Sequence, residues 1–147
     1  MELVCLIYIL DAAALLNNES FSFERKDRYY TTSPVLSEWL DFRSRTLAQN
    51  ALRSEALTIQ DPCPLSIQKT HRKCEESGTV LGDADISIVA LAIEFRERRT
   101  KFTVITDDYS VQNVLKKLHI DFAGAAQGEI RGHRQFGKTK SKKENNG

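Results

Sequence analysis

The apolar positions of this chain follow two patterns, which predict strands and helices in turn. Residues 3–10 form a continuous apolar run that contains Val and Ile, as expected of a strand buried on both faces of a parallel sheet. Shorter runs of the same kind predict further strands over 57–60, 102–106 and 120–123.

Apolar residues at helical spacing fill the segments between these strands. Ser33 and Pro34 are typical of an N-cap and a first helical position, and they predict a helix that extends as far as residue 45. The other predicted helices run over 64–78, 83–99 and 109–118. Strands that alternate with helices indicate an α/β fold, which we expect to be a three-layer sandwich with a central parallel sheet flanked by helices.

The net charge of +1 conceals a split along the chain. Residues 131–147 carry a net charge of +5, whereas the first 130 residues carry −4. We therefore expect one folded domain over 1–130 and a disordered basic tail over 131–147. An acidic body with a basic tail is a coarse indication of a polyanionic partner, although many such tails are only solvated.

Length, cysteine count and hydropathy exclude several classes of protein. A chain of 147 residues suits a single domain. The cysteines at 5, 63 and 74 are too few for a disulfide framework or a four-ligand zinc ribbon, and they favour the reducing cytoplasm. The longest apolar run has eight residues, which is too short for a bilayer, and we find no signal peptide. We expect a cytoplasmic protein with no membrane partner.

Acidic residues follow two of the predicted strands. Asp11 closes the strand over 3–10, and Asp107 and Asp108 come after the strand over 102–106. Ligands bind at the carboxyl ends of parallel strands. Because side chains alternate along an extended segment, only one of Asp107 and Asp108 is expected to share a pocket with Asp11. An N-cap role is the structural alternative for Asp11.

Two further acids lie on predicted helices. Asp85 falls near the middle of the apolar arc of the helix over 83–99, whereas Asp83 lies outside that arc, where a cap belongs. Glu38 lies at the border of the apolar face of its helix, a position that surface glutamates also occupy. An unpaired buried carboxylate is strongly unfavourable, so Asp85 needs either a metal ion or a buried Arg as a partner.

These positions predict a cluster of four acids that face the sheet. Like charges cannot be gathered without cations. Oxygen ligands with no cysteine or histidine companion suit Mg²⁺ or Mn²⁺. Such sites typically serve phosphoryl chemistry, in which the metal activates water and stabilises the leaving oxygen.

Four stretches of the chain resemble, in order and spacing, the motifs of PIN-domain endoribonucleases. They are IYILDAAALL (7–16), YTTSPVLSE (30–38), LGDADISIVALAIE (81–94) and VITDDYSVQNVLKKLHI (104–120). The pattern T-x-D-Y-S-x-Q-N-V over 106–114 is more specific. It resembles the archaeal and eukaryotic Nob family, which matures the 3′ end of small-subunit ribosomal RNA.

The resemblance assigns the family's acidic quartet to Asp11, Glu38, Asp85 and Asp108. It implies cleavage of single-stranded RNA by metal-activated water, with Mg²⁺ or Mn²⁺, which leaves a 5′-phosphate and a 3′-hydroxyl. The implied partner is precursor small-subunit ribosomal RNA or a pre-ribosomal particle. Further candidates for the site are Asp83, Thr106, Asp107 and Asn113.

Basic side chains are candidates for contact with RNA. Two follow Glu38 and the others belong to the tail: Arg43, Arg45, Arg131, Arg134, Lys138 and Lys140. Two alternative functions stay open. One is a VapC-type toxin ribonuclease held inactive by an antitoxin, and the other is a catalytically silent PIN-like module that binds RNA or protein, against which the intact quartet argues.

Overall fold

The computed structural model describes residues 4–16, 21–41 and 44–125. The strands are β1 Ile7–Leu10, β2 Arg28–Thr31, β3 Leu57–Ile59, β4 Thr103–Ile105 and β5 Phe122–Ala123. The helices are α1 Ala13–Leu16, α2 Ser33–Leu40, α3 Arg45–Arg53, α4 Pro64–Ser77, α5 Asp83–Glu97 and α6 Tyr109–Lys117. The basic tail lies outside the described residues.

All five strands are parallel and form one sheet in the order β3-β2-β1-β4-β5. The central strand β1 pairs on both edges, with Tyr8 opposite Tyr29 of β2 and opposite Thr103 of β4. Helices flank this sheet, and α5 packs against α2, α4, α6 and β1. The predicted α/β fold with a central parallel sheet is confirmed.

Burial explains which elements the sequence marked most clearly. Ile9 and Leu10 of β1 are fully buried, and α5 is buried without interruption from Ile86 to Ile93. A strand or helix that is covered on nearly all sides must be apolar nearly throughout, so both elements appear as long apolar runs. No helix in the described ranges combines the length and apolar character that a membrane span requires.

The structure corrects several predicted boundaries. The first strand begins at Ile7, and α2 ends at Leu40 instead of residue 45. A separate helix, α3, then begins at Arg45. Its buried face consists of Ala48 and Ala51, small residues that give a weak apolar signal.

Strand β2 was not predicted from the sequence. Its exposed Arg28 precedes Tyr29, Tyr30 and Thr31, so it forms no continuous apolar run. Its place in the sheet depends on pairing with β1 and β3, which are distant in sequence. The strand propensity of these four residues does not reveal their pairing with strands that are distant in sequence.

Two predicted helix caps are also wrong by one residue. The N-cap of α2 is Thr32, and Ser33 is the first helical residue; the N-cap of α5 is Gly82, followed by the exposed Asp83. In contrast, Gly78 ends α4 as predicted, with a φ of 71° that favours glycine.

Replacing Gly82 by Ser is expected to stabilise the protein by about 0.5–1 kcal/mol. Gly82 has an extended backbone and open space around the position of a Cβ atom, so a side chain fits. A serine hydroxyl at an N-cap accepts a hydrogen bond from the first turn of the helix, and the loss of glycine reduces the entropy of the unfolded chain. Urea unfolding of the two proteins measures the change, and an unchanged or lower midpoint would contradict this expectation.

Candidate active site

The acids meet where the order of the strands changes direction. The chain runs from β1 through β2 to β3 on one side and then crosses to β4, which pairs with the other edge of β1. Ligands bind at such a switch point, at the carboxyl ends of the strands. Asp11 follows β1 here, and its amide donates to the carbonyl oxygen of Ile105 in β4 (2.9 Å). Asp107 and Asp108 follow β4, so the two strand ends lie side by side.

Asp11 is almost fully buried and is held by two hydrogen bonds. Its Oδ1 accepts from the amide of Ala12 (2.7 Å), and its Oδ2 accepts from the Thr106 hydroxyl (2.7 Å). Burial is the main reason that the pKa of Asp11 is raised, and the charges of Asp108 and Glu38 raise it further against these hydrogen bonds. Its side chain thus reaches across to the segment that follows β4, and its role as a site residue stays a prediction.

Thr106 connects Asp11 to the segment that carries Asp108. Its buried hydroxyl donates to Asp11 and accepts from the amide of Asp108 (3.1 Å). The side-chain amide of Gln112 donates to the Thr106 carbonyl (2.9 Å). Thr106 is thus a positioning residue for two acids, whereas Asn113 is exposed on the surface of α6.

Asp85 occupies the first turn of α5 and is half-buried. Burial, followed by the charges of Asp11, Asp108 and Glu38, raises the pKa of Asp85 to about 7. A backbone hydrogen bond from Gly82 opposes this shift. Asp85 is the third helical residue after the N-cap Gly82, so this contact forms half of a capping box. The contact explains part of the position of Asp85 but not its proximity to three other carboxylates.

Helix α2 brings Glu38 to the same end of the sheet. The indole Nε1–H of the buried Trp39 donates a hydrogen bond to the Ala12 carbonyl (2.9 Å). This bond links α2 to the segment that follows Asp11. The buried hydroxyls of Thr32 and Ser87 share a hydrogen bond (2.7 Å) that joins the start of α2 to α5. Glu38, which is half-buried, therefore lies close enough for its charge to raise the pKa of both Asp11 and Asp85.

The two acids after β4 have different environments. Oδ1 of Asp108 caps α6 by accepting from the amides of Ser110 (2.8 Å) and Val111 (3.1 Å). Its charge raises the pKa of Asp11 and of Asp85. Asp107 is half-buried and precedes this cap. The geometry favours Asp108 as the fourth member of the cluster, and its role as a ligand stays a prediction.

The donor set fits a divalent cation by its chemistry. The charges of Glu38 and Asp108 raise the pKa of both Asp11 and Asp85, and no described Lys or Arg forms an ion pair with any of these four carboxylates. A hard cation would offset this repulsion. Across the described ranges, however, no three His, Cys, Asp or Glu side chains are already arranged as a metal site. The acids fit Mg²⁺ or Mn²⁺ by charge and oxygen chemistry, without a preorganised set of three ligands.

The comparisons with known proteins identify the family. A family model described as the PIN domain of ribonuclease matches residues 8–95. Endoribonuclease Nob1 of Methanothermobacter thermautotrophicus is 37% identical over 125 residues, which cover 84% of this chain and 71% of that protein. The chain belongs to the Nob1 branch of the PIN-domain ribonucleases. The predicted family and the predicted endoribonuclease class are thereby confirmed.

Other relatives agree with this placement in the PIN-domain family. Endoribonuclease Nob1 of Methanocaldococcus jannaschii is 32% identical over 120 residues, 82% of this chain and 57% of that protein. The chain thus spans 57–71% of the length of these two Nob1 relatives. Ribonuclease VapC3 of Aeropyrum pernix is 25% identical over 112 residues, 75% of this chain and 79% of that protein.

A solved structure shares the PIN fold. VapBC-1 from nontypeable Haemophilus influenzae superposes with a TM-score of 0.55 at 16% identity, covering 82% of this chain and 99% of the matched chain. At this identity the likeness shows the three-layer fold alone.

One of the candidate RNA-binding residues, Arg45, lies in the part of the chain that the structure describes. Arg45 is exposed, and its Nε–H donates to the Leu40 carbonyl at the end of α2 (2.8 Å), a structural role. The remaining candidates lie outside the described residues: Arg43, Arg131, Arg134, Lys138 and Lys140.

A cavity of about 750 Å³ lies at the amino end of the sheet, near the starts of β1 and β4 and opposite the end where the acids lie. Its charged lining includes Arg96, Lys101, His119 and Asp121, and none of the four clustered acids. Arg96 donates to the Leu118 carbonyl at the end of α6, so it is engaged in capping that helix. This cavity is therefore separate from the carboxyl end of the sheet, where the four acids lie.

The metal-free protein is expected to lose stability as pH rises from about 5 to 8. Asp85 and Asp11 have raised pKa values in the folded state, so folding takes up protons in this range and the benefit disappears as pH passes through about 7. Mn²⁺ at pH 8 should restore stability, because it binds the folded site. Thermal melts in EDTA and in Mn²⁺ at several pH values test this; melting temperatures in EDTA that stay level or rise would contradict it.

Proposed function

We propose that this chain is a divalent-metal-dependent endoribonuclease that acts in the maturation of the 3′ end of small-subunit ribosomal RNA. The observation that carries the proposal is a group of four acids at the switch point of a PIN domain, in which the charges of Glu38 and Asp108 raise the pKa of both Asp11 and Asp85. Membership of the Nob1 branch supports ribosomal RNA as the target. The three free thiols support a reducing, cytoplasmic location.

The residues that would hold Mg²⁺ or Mn²⁺ are Asp11, Glu38, Asp85 and Asp108. The bound cation supplies activation of water and neutralises charge on the phosphate. Hydrolysis adds the water oxygen to phosphorus and breaks the bond from phosphorus to the 3′ oxygen, which leaves a 3′-hydroxyl and a 5′-phosphate. Thr106 fixes the orientation of the Asp11 carboxylate, and the first amides of α6 fix that of Asp108.

Cleavage of a defined single-stranded RNA tests the enzymatic part of the proposal. Labelled RNA is incubated with the full chain in Mn²⁺, in Mg²⁺ and in EDTA, and the product ends are analysed. We expect internal cuts only with metal, with a 5′-phosphate on the downstream product. Cleavage that persists in EDTA, or a 2′,3′-cyclic phosphate, would rule out the proposed metal-activated water.

The basic tail is expected to add RNA affinity without taking part in the chemistry. It carries +5 beside a body of −4, and each phosphate that it neutralises contributes roughly −0.7 to the salt slope of binding. A chain truncated after Ile130 should bind RNA more weakly and with a flatter salt dependence, whereas its turnover at saturating RNA stays nearly unchanged. Equal affinities and slopes for the two chains would show that the tail is only a solvated extension.

A VapC-type toxin is the second candidate function, because the chain is also 25% identical to a VapC ribonuclease. Such an enzyme would be held inactive by an antitoxin and would cleave transfer, messenger or ribosomal RNA. Expression alone in a host cell distinguishes the two candidates. Growth arrest that a neighbouring gene product relieves would favour the toxin, and normal growth favours the role in RNA maturation.

A further inference from the structure

One aromatic side chain is exposed directly beside the clustered acids. Among the described residues, the large apolar side chains that remain exposed are Val4, Leu65, Val80 and Tyr109. Tyr109 immediately follows Asp108 and is the first residue of α6, with 77% of its surface exposed. An exposed aromatic ring at the edge of a nuclease site is a candidate contact for a nucleobase.

The packing of α6 directs Tyr109 away from the core. The buried residues of this helix are Val111, Val114 and Leu115, which lie on the opposite side of the helix at 100° per residue. Side chains on a helix also tilt toward its N-terminus, which here is the end that Asp108 caps. The ring of Tyr109 therefore projects from the start of α6, next to Asp108 in the chain, and is not part of the core.

The charge of the site creates a need for such a contact. Four carboxylates repel the phosphates of a substrate, and no described Lys or Arg forms an ion pair with any of them. Stacking of a base on an aromatic ring does not depend on phosphate charge, and it contributes about 1–3 kcal/mol per base. A stacked base would hold single-stranded RNA beside the acids despite the repulsion.

A second exposed apolar residue lies at the neighbouring helix. Val80 precedes Gly82, the N-cap of the helix that carries Asp85, and it is 91% exposed. Helix α5 leads into the amino end of β4 and α6 follows its carboxyl end, so the N-terminal ends of both helices lie toward the carboxyl end of the sheet. Two of the three helices that carry the acids or are capped by them, α5 and α6, thus have an exposed apolar side chain near their start.

We infer that Tyr109 is a substrate-positioning residue whose ring stacks on an unpaired base of the RNA next to the scissile phosphate. This inference rests on the proposed function. Because the aromatic ring is the group that contacts the base, we expect a Phe at position 109 to retain the contact and an Ala to lose it. The residue acts on binding and register, and the acids perform the chemistry.

Binding measurements with Ca²⁺ in place of Mn²⁺ test the inference without requiring cleavage. Fluorescence anisotropy of a labelled single-stranded RNA should show a roughly 10-fold weaker Kd for Tyr109→Ala and less than about a two-fold change for Tyr109→Phe. Val4→Ala is the matched control, since Val4 is exposed at the amino end of the sheet, away from the acids. Its Kd should equal that of the wild type.

An RNA with one abasic nucleotide identifies the stacked base. The abasic site is moved along the strand one nucleotide at a time. It should weaken binding by the wild type most at one position. At that position it should have little further effect on binding by Tyr109→Ala, because that variant has already lost the contact. In cleavage assays Tyr109→Ala should raise KM roughly 10-fold and change kcat less than about two-fold.

Several outcomes would overturn the inference. Equal affinities of Tyr109→Ala and the wild type would do so, as would equal losses in the Phe and Ala variants, which would assign the effect to the hydroxyl group. A wild-type chain that binds no single-stranded RNA would also overturn it. Normal binding without cleavage would instead contradict the proposed function, and the comparison of Phe with Ala would still decide the role of the ring.

Discussion

Replacing Asp85 by Asn is expected to lower the rate of RNA cleavage by roughly 100-fold or more, and at the same time to stabilise the metal-free protein. The cation and its ligands contribute several kcal/mol to charge stabilisation in the transition state, and each 1.36 kcal/mol changes the rate about tenfold. Asn keeps the size of the side chain but removes the charge that three neighbouring carboxylates repel.

The gain in stability should be about 1 kcal/mol at pH 8 in EDTA, after allowance for the solvent that screens a half-exposed carboxylate. This corresponds to about 2–4 °C in melting temperature. Asp121→Asn is the matched control, because Asp121 is exposed at the amino end of the sheet, away from the four acids. An Asp85→Asn variant with near-normal cleavage, or one less stable than the wild type in EDTA, would contradict the assignment of Asp85 to a charged site.

The second large effect distinguishes the two acids that follow β4. Asp108→Asn is expected to lower cleavage by roughly 100-fold, whereas Asp107→Asn should change it less than about threefold. The charge of Asp108 raises the pKa of Asp11 and of Asp85, and Asp108 is the aspartate of the T-x-D motif, in which Asp107 takes the variable position. Asn is also a good N-cap, so the Asp108→Asn protein should remain folded.

Single-turnover cleavage with Mn²⁺ compares the rates of the two variants, and circular dichroism checks that both are folded. If Asp107→Asn abolished cleavage and Asp108→Asn did not, the T-x-D motif would have been assigned to the wrong acid. Equal and large losses in both variants would mean that both acids take part. Either result would require a site different from the proposed quartet.

The sequence predicted the elements whose burial is uniform. Strand β1 and helix α5 are covered on nearly all sides, so their residues must be apolar and the exceptions, Asp11 and Asp85, are conspicuous. Strand β2 depends on pairing with β1 and β3, which are distant in sequence, and it forms no continuous apolar run. The fully buried residues of helix α3 are alanines, which give a weak apolar signal. Tertiary contacts therefore decide elements that local pattern does not.

The sequence indicated the acids of the candidate site, but it could not indicate the contacts that hold them. Strand ends and helical periodicity indicated Asp11, Asp85 and the pair after β4, because an acid at an apolar position is a local feature. The hydrogen bond from Thr106 to Asp11 joins residues 95 positions apart, and that from Trp39 to Ala12 joins residues 27 apart. Such contacts appear only when the sheet order brings their strands and helices together.

Incubation with a precursor that spans the 3′ end of small-subunit ribosomal RNA tests the central claim most directly. The wild type and Asp11→Asn are compared in Mn²⁺, with circular dichroism to show that both are folded. We expect the wild type to cut the precursor at a defined position near the mature 3′ end, and Asp11→Asn to leave it intact over the same time. Equal cleavage by the two proteins, or no cleavage of the precursor by the wild type, would contradict the account.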